Sequence, residues 1–259
     1  MTEPYIREKL QLKAHRLDDL FSCEFRDFDY SSNASNAKSS MPFKSNLPVI
    51  FCSDVDELKH RIALHRQFND SDFESIIGIN SGGGVLKVCL TVRSPSAIPT
   101  RRYDGDADTV VRSKLSDGVA SKNLKDTSVK KLFILAVVPT AQETYRNMLI
   151  LWDLLKFTSL RSLSPFTFCM DLKLAGITLG LMSHASLHPC SWCNSEKDKL
   201  HCEGMLRTLG SIRRQYWRFT ESEKRTTKAK QVGNYIHAPL FKFADDTLVL
   251  DIMPHLNSI

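Results

Sequence analysis

The stretch 166–193 constrains the fold and the chemistry of this chain more than any other part of its 259 residues. An apolar run over Phe166–Met170 ends at Asp171, and apolar residues then recur at nearly helical spacing over 172–182. The pattern predicts a strand, an acid at its carboxyl end and then a helix. An acid in this place is commonly used to hold a metal ion or to transfer protons. The sequence Cys190-Ser-Trp-Cys193 follows closely, so the acid and the thiol pair together indicate a functional region.

Composition and charge bound the class of protein. Apolar residues make up 42% of the chain and charged residues 25%, which is typical of globular domains. No signal-peptide pattern and no apolar run of membrane-spanning length is present, and the seven cysteines are an odd number. We therefore expect an intracellular protein with thiols or metal ligands rather than disulfides.

The net charge of +6 is concentrated in one segment. Residues 197–230 contain ten Lys or Arg against four Asp or Glu, a balance that equals the whole excess. A basic patch of this kind suggests an anionic partner, DNA above all, and with it a nuclear location. A solvated helix face would give the same composition. A homo-oligomer is compatible with the sequence.

Two regions differ in their patterning, and we predict a boundary near residue 70. Region 1–70 is predicted as a helical and linker segment, with helices over 8–21 and 54–68 and a linker over 31–45 rich in Ser and Asn. Region 71–259 alternates between apolar patterns of strand and helix type, with a polar loop over 94–128. Its predicted elements are three strands, a helix, a strand and a helix at 76–79, 85–92, 131–138, 142–157, 166–171 and 172–182.

This βββαβα order predicts an α/β fold of the ribonuclease H-like type, with a mixed sheet. In that fold the first strand is central and the fourth lies beside it in parallel, so Asn80 and Asp171 should lie close together. Two carboxylates at these positions would hold Mg²⁺ ions that activate water or a hydroxyl against a phosphodiester. Asn80 is neutral, which should weaken metal binding and catalysis. Asp171 is equally a suitable N-cap for the following helix.

The Cys190/Cys193 pair has the spacing at which two thiolates bind one Zn²⁺. Two ligands do not complete a site, and the remaining candidates are histidines and one cysteine: His184, His188, His201, Cys202, His237 and His255. Buried thiols beside a packed Trp192 are the alternative interpretation.

The segment 207–219 interleaves arginines with aromatic residues. Arg213, Arg214, Trp217 and Arg218 suit nucleic acid, because guanidinium groups contact phosphates and rings stack on bases. An amphipathic helix with its aromatic residues in the core is an equally good interpretation. A non-enzymatic module that binds zinc and nucleic acid would need only this segment and the thiol pair.

The glycine-rich turn 81–84 supports another enzyme hypothesis. Actin-like and sugar-kinase-like ATPases share the βββαβα core and cradle phosphates in a Gly-rich hairpin after the first strand. They also need a second phosphate loop and an adenosine loop rich in glycine, and neither is found downstream.

Several segments in this order resemble transposon-derived proteins with a ribonuclease H-like DDE transposase core. They lie at 78–90, 129–155, 170–193, 206–219, 236–241 and 248–254. The resemblance implies a cut-and-paste DNA transposase domain, with its first acid on the Gly-rich hairpin and its second at Asp171. It also implies a zinc-binding insertion from about residue 183, completed by downstream histidines such as His237 and His255.

The sequence departs from that pattern in two places. Asn80 stands where an acid is expected, and the chain ends at Ile259 before a third acid is reached; Asp251, after an apolar run, is the nearest substitute. The resemblance therefore implies a partial catalytic domain that is impaired or inactive, with Mg²⁺ only if activity remains.

Overall fold

A computed structural model of the chain describes residues 4–5, 8, 17–30, 43–66, 68, 73–82, 84–93, 132–157, 166–182, 186–199, 204–223 and 229–242. Within these residues the chain has an α/β architecture, with six strands in one sheet and four α-helices. The strands are β1 (Phe21–Tyr30), β2 (Phe43–Cys52), β3 (Glu74–Gly82), β4 (Val85–Arg93), β5 (Phe133–Pro139) and β6 (Phe166–Met170). The helices are α1 (Val55–His65), α2 (Tyr145–Leu154), α3 (Leu172–Thr178) and α4 (Leu209–Glu221). No helix in this part of the chain is long and apolar enough to span a membrane.

The sheet is mixed, with the strand order β1-β2-β5-β4-β3-β6. Four of the five strand pairs are antiparallel, and the pair of β3 with β6 is parallel. Ile79 lies opposite Met170 in that parallel pair. Since β3 and β6 run in the same direction, their carboxyl ends lie at the same edge of the sheet.

The predicted hairpin of β3 and β4 is confirmed, with Glu74 paired to Arg93 and Gly82 to Val85. Gly84 in the turn has a φ of +71°, which a residue with a Cβ rarely adopts. Alternate residues of the hairpin are buried, among them Ile77 and Ile79 of β3 and four apolar residues of β4. This period of two places one face of the hairpin in the core.

Helix α2 covers that core with its apolar face. Its Trp152 ring stacks on Phe168 of β6 with centroids 5.3 Å apart, and meets Phe241 edge-on at the same distance. Phe168 and Phe241 also contact each other, at 5.1 Å. The aromatic cluster therefore fixes α2 and the segment around Phe241 against the edge strand β6.

Side chains cap each of the four helices, which explains where the helices begin. Asp54, Thr144, Asp171 and Thr208 each accept a hydrogen bond from the backbone N–H three residues later. At α4 the bond is reciprocal, since Ser211 also accepts from the Thr208 N–H. Each cap thus accepts a hydrogen bond from a first-turn N–H that has no acceptor within its own helix.

The prediction of a helical and linker N-terminal segment is wrong for β1 and β2, which form an antiparallel pair in the same sheet as the later strands. The predicted helix 54–68 is confirmed as α1. Most of the predicted helix 8–21 lies outside the described residues, but 18–20 form a 3₁₀ turn and Phe21 begins β1. Residues 43–45 of the predicted linker belong to β2.

Buried polar contacts fix β1 to helix α2. The Asn147 side chain accepts from the Asp29 N–H and donates to the Asp29 carbonyl, both at 2.8 Å. The Asp29 carboxylate accepts from the Thr144 hydroxyl at 2.7 Å and from Arg146 at 3.2 Å. The backbone and side-chain groups of the buried Asp29 are therefore hydrogen-bonded by residues of helix α2 and its N-cap.

Candidate functional site

The carboxyl ends of β3 and β6 bring the two predicted positions together. Asn80 follows Ile79 and Asp171 follows Met170, and these preceding residues lie opposite each other. Neighbouring strands are about 4.8 Å apart, so both positions share one edge of the sheet. Both residues are exposed. The third predicted catalytic residue, Asp251, lies outside the described residues.

Asp171 acts as the N-cap of α3. Its Oδ1 accepts a hydrogen bond from the Leu174 N–H at 2.8 Å. One carboxylate oxygen is therefore engaged, while the residue as a whole remains accessible to solvent.

Charged residues that sequence reasoning missed surround these two positions. Lys87 lies opposite Asn80 on β4. Glu143, whose side chain is 8% exposed, accepts from Lys173 Nζ at 2.5 Å and from the Ser81 hydroxyl. We call Asn80, Ser81, Lys87, Glu143, Asp171 and Lys173 the strand-end cluster. It contains two acids and two lysines, so its formal charge is zero.

The Gly-rich turn is hydrogen-bonded to the same cluster through Ser81. The Ser81 hydroxyl is held by a carboxylate, and the Gly84 carbonyl accepts from the Thr140 N–H at 2.7 Å. Ser81 of the turn is therefore already engaged by Glu143, which is itself paired with Lys173.

The residues 190–193 form a compact turn that we call the thiol knuckle. Cys190 Sγ accepts from the Trp192 N–H at 3.4 Å, and Cys193 Sγ lies 3.2 Å from Ser195 Oγ in a hydrogen bond. Burial raises the pKa of Cys190. Burial also acts to raise the pKa of Cys193, but hydrogen bonds from Ser195 and Cys190 and the charge of Arg207 together hold it below the usual thiol value.

A fully buried arginine supports this knuckle. The Arg207 Nε donates to the carbonyls of Cys190 at 3.1 Å and Cys193 at 3.0 Å. Its Nη1 donates to the Gly233 carbonyl at 3.1 Å and to the Tyr235 hydroxyl. The guanidinium also lies 4.9 Å from the centroid of the Tyr235 ring. Arg207 thus connects the knuckle to the turn 229–235.

The predicted histidine ligands do not join the two thiols in the described residues. The His237 ring stacks on Tyr145 with centroids 4.1 Å apart, and the His237 backbone N–H donates to the Gly180 carbonyl at 3.1 Å. His188 Nδ1 lies 2.9 Å from the Asn194 carbonyl. Across the described ranges no group of three His, Cys, Asp or Glu is arranged to hold a metal ion. The other candidates, His184, His201, Cys202 and His255, lie outside those ranges.

Helix α4 combines the two interpretations of its sequence. Phe219 is buried and Tyr216 packs against the core, as an amphipathic helix requires. Arg213 donates to the Phe241 carbonyl at 3.2 Å. Arg214, Trp217 and Arg218 are exposed, and we call these three residues the α4 face. They are related by spacings of three and four, so they lie on the same side of the helix.

Comparison of the sequence with protein-family models and with curated proteins gives no match.

Proposed function

We propose that the chain is a transposase-derived DNA-binding protein with a ribonuclease H-like core and impaired or absent catalysis. The strand order β5-β4-β3-β6 supports the core, because β3 is internal and its parallel neighbour β6 leads into a helix. This is the arrangement in which the first and fourth strands of a ribonuclease H-like sheet lie side by side.

The single observation that carries DNA binding is the α4 face. Trp217 is 62% exposed, and neither Arg214 nor Arg218 forms an ion pair with any described residue. Two like charges at a spacing of four cost a helix about 0.2–0.5 kcal/mol. A polyanion removes this repulsion, and an exposed indole gives it a stacking surface.

The charges of the strand-end cluster support the loss of catalysis. Two divalent cations would add four positive charges beside Lys87 and Lys173, with Asp171 and Glu143 as the neighbouring acids. Glu143 is already neutralised by Lys173, and the amide of Asn80 contributes no charge. The cluster therefore lacks the excess of negative charge on which a two-metal site depends.

The two free thiols of the thiol knuckle suit a structural zinc ion, which thiolates bind readily. Cys190 and Cys193 would be two of its ligands, and the pKa of Cys193, which despite burial is lowered by hydrogen bonds from Ser195 and Cys190 and by the charge of Arg207, favours a thiolate there. A bound zinc ion would fix the fold of this segment. If the protein purified in the presence of zinc retains no metal by elemental analysis, or retains as much after Cys190→Ser, this part of the proposal is wrong.

Salt-dependent DNA binding tests the function itself. Fluorescence anisotropy with a labelled oligonucleotide, from low to moderate salt, gives both the affinity and the slope of its dependence on salt. We expect Arg214→Ala/Arg218→Ala to reduce that slope by about 2, one for each lost phosphate contact. The matched control, Arg26→Ala/Lys44→Ala, removes two exposed positive charges from β1 and β2 and should leave the slope unchanged. Equal effects of the two pairs would show that α4 is not the interface.

A further inference from the structure

The α4 face carries an inference about the form of the DNA, and this inference rests on the DNA-binding proposal above. We propose that the face binds unpaired bases of single-stranded DNA. The Trp217 indole stacks on a base while Arg214 and Arg218 contact the flanking phosphates.

The position of Trp217 gives the first reason. The two other aromatic residues at this end of α4, Tyr216 and Phe219, pack against the core or are buried in it. Trp217 instead presents most of its surface to solvent on a convex helix. An exposed indole next to two arginines on the same side of the helix offers a flat apolar surface beside positive charge, which suits a base and its neighbouring phosphates.

The structure of duplex DNA gives the second reason. The faces of paired bases are covered by their neighbours in the stack, so an indole on a helix surface reaches only base edges in a groove. The indole has a single N–H donor and no acceptor, which makes it a poor reader of base edges. Unpaired bases expose their faces, and every base has one on which an indole can stack.

Two other charged residues of α4, Glu221 and Arg213, limit the extent of this surface. Glu221 is exposed one turn after Trp217, so an acid limits the positive region toward the end of α4. Arg213 on the neighbouring side of the helix is occupied with the Phe241 carbonyl. Two arginines therefore supply the positive charge of the face, and their attraction alone favours the duplex, which has the higher charge density. A preference for the single strand must come from stacking.

The test compares one labelled strand of mixed sequence, alone and annealed to its complement, by anisotropy at the same salt concentration. We expect the full chain to bind the single strand at least about 5-fold more tightly than the duplex. Trp217→Ala should weaken binding of the strand by about 5- to 150-fold, with a much smaller effect on the duplex. Trp217→Phe keeps an aromatic face and should restore most of the affinity. Arg214→Ala/Arg218→Ala should weaken binding of both forms.

Other outcomes separate this inference from the function on which it rests. Duplex binding equal to or tighter than strand binding, or a Trp217→Ala variant that binds the strand like the wild type, overturns the inference and leaves DNA binding intact. Binding of neither form at low salt overturns both. If sedimentation shows a dimer that Trp217→Ala disrupts, the face is a contact between copies and the inference is wrong.

Discussion

Replacing the buried Arg207 tests how the thiol knuckle is held. Arg207→Met keeps the length of the side chain but removes every donor. The carbonyls of Cys190, Cys193 and Gly233 then lose a charged partner inside the protein, where water does not replace it. Each carbonyl left without a donor inside the protein costs about 1–3 kcal/mol. Because these contributions overlap, we expect a loss of about 4 kcal/mol in the free energy of unfolding.

Urea unfolding followed by circular dichroism, with a chelator present, measures this loss without a contribution from bound metal. Arg207→Lys should fall between the wild type and Arg207→Met, because a compact ammonium cannot span acceptors on both the knuckle and the turn 229–235. Arg214→Met removes the same group from the exposed α4 face and should change stability by less than about 0.5 kcal/mol. A loss below about 1 kcal/mol for Arg207→Met would refute the reasoning, because the buried bonds would then contribute little.

The remaining predictions concern the cap, a buried lysine and a glycine. Asp171→Ala should cost about 1 kcal/mol of unfolding free energy and Asp171→Asn much less, since an amide oxygen can also cap α3; equal losses would contradict the cap. Burial lowers the pKa of Lys59 to about 8, against the opposing effect of Asp56. This folded-state pKa lies below that of a free lysine. The free-energy cost of burying the charged Lys59 ammonium is therefore fully present below pH 8 and disappears as the pH rises toward 10.5. Lys59→Met should therefore stabilise the protein at pH 7 by up to about 3 kcal/mol and by much less at pH 10, and a gain independent of pH in urea unfolding would contradict this. A Cβ at Gly180, where φ is +78°, would lie 2.1 Å from the His237 carbonyl oxygen, so Gly180→Ala should lower the thermal midpoint clearly, unlike Gly78→Ala, whose Cβ meets nothing within 4 Å.

The part of the fold from β3 to α3 could be predicted because its signals are local. Runs with a period of two mark β3 and β4, the Gly-rich turn joins them, and helical spacing marks α2 and α3. The N-cap interpretation of Asp171 also depends on neighbouring residues alone, and the contact with Leu174 confirms it.

Strands β1 and β2 could not be recognised because their signals are weak. The middle of β1, Glu24 to Asp27, carries three charged residues and is largely exposed, as is usual for a strand at the edge of the sheet. Pro48 interrupts β2, and a proline argues against a central strand. It is tolerated because β2 pairs with β5 only at Ile50 and Phe51, so Pro48 has a neighbour on one side alone.

The candidate site was predictable only where topology determines it. The parallel pair of β3 and β6 places Asn80 beside Asp171, as the element order indicated. Glu143 was missed because its partners Ser81 and Lys173 are 62 and 30 residues away in sequence. The sequence did not distinguish Arg207 from the other cations of the basic segment 197–230. Its burial depends on carbonyls from two separate turns, which the sequence alone does not bring together.

Electrophoresis of one labelled DNA tests the central claim most directly. The DNA carries a duplex and a single-stranded overhang and is incubated with the protein and Mg²⁺. One half of the sample is run on a native gel and the other half on a denaturing gel. We predict that the DNA is shifted on the native gel and intact on the denaturing gel. DNA that is not shifted, or cleavage that Asp171→Asn abolishes, would contradict the account of a DNA-binding protein that has lost catalysis.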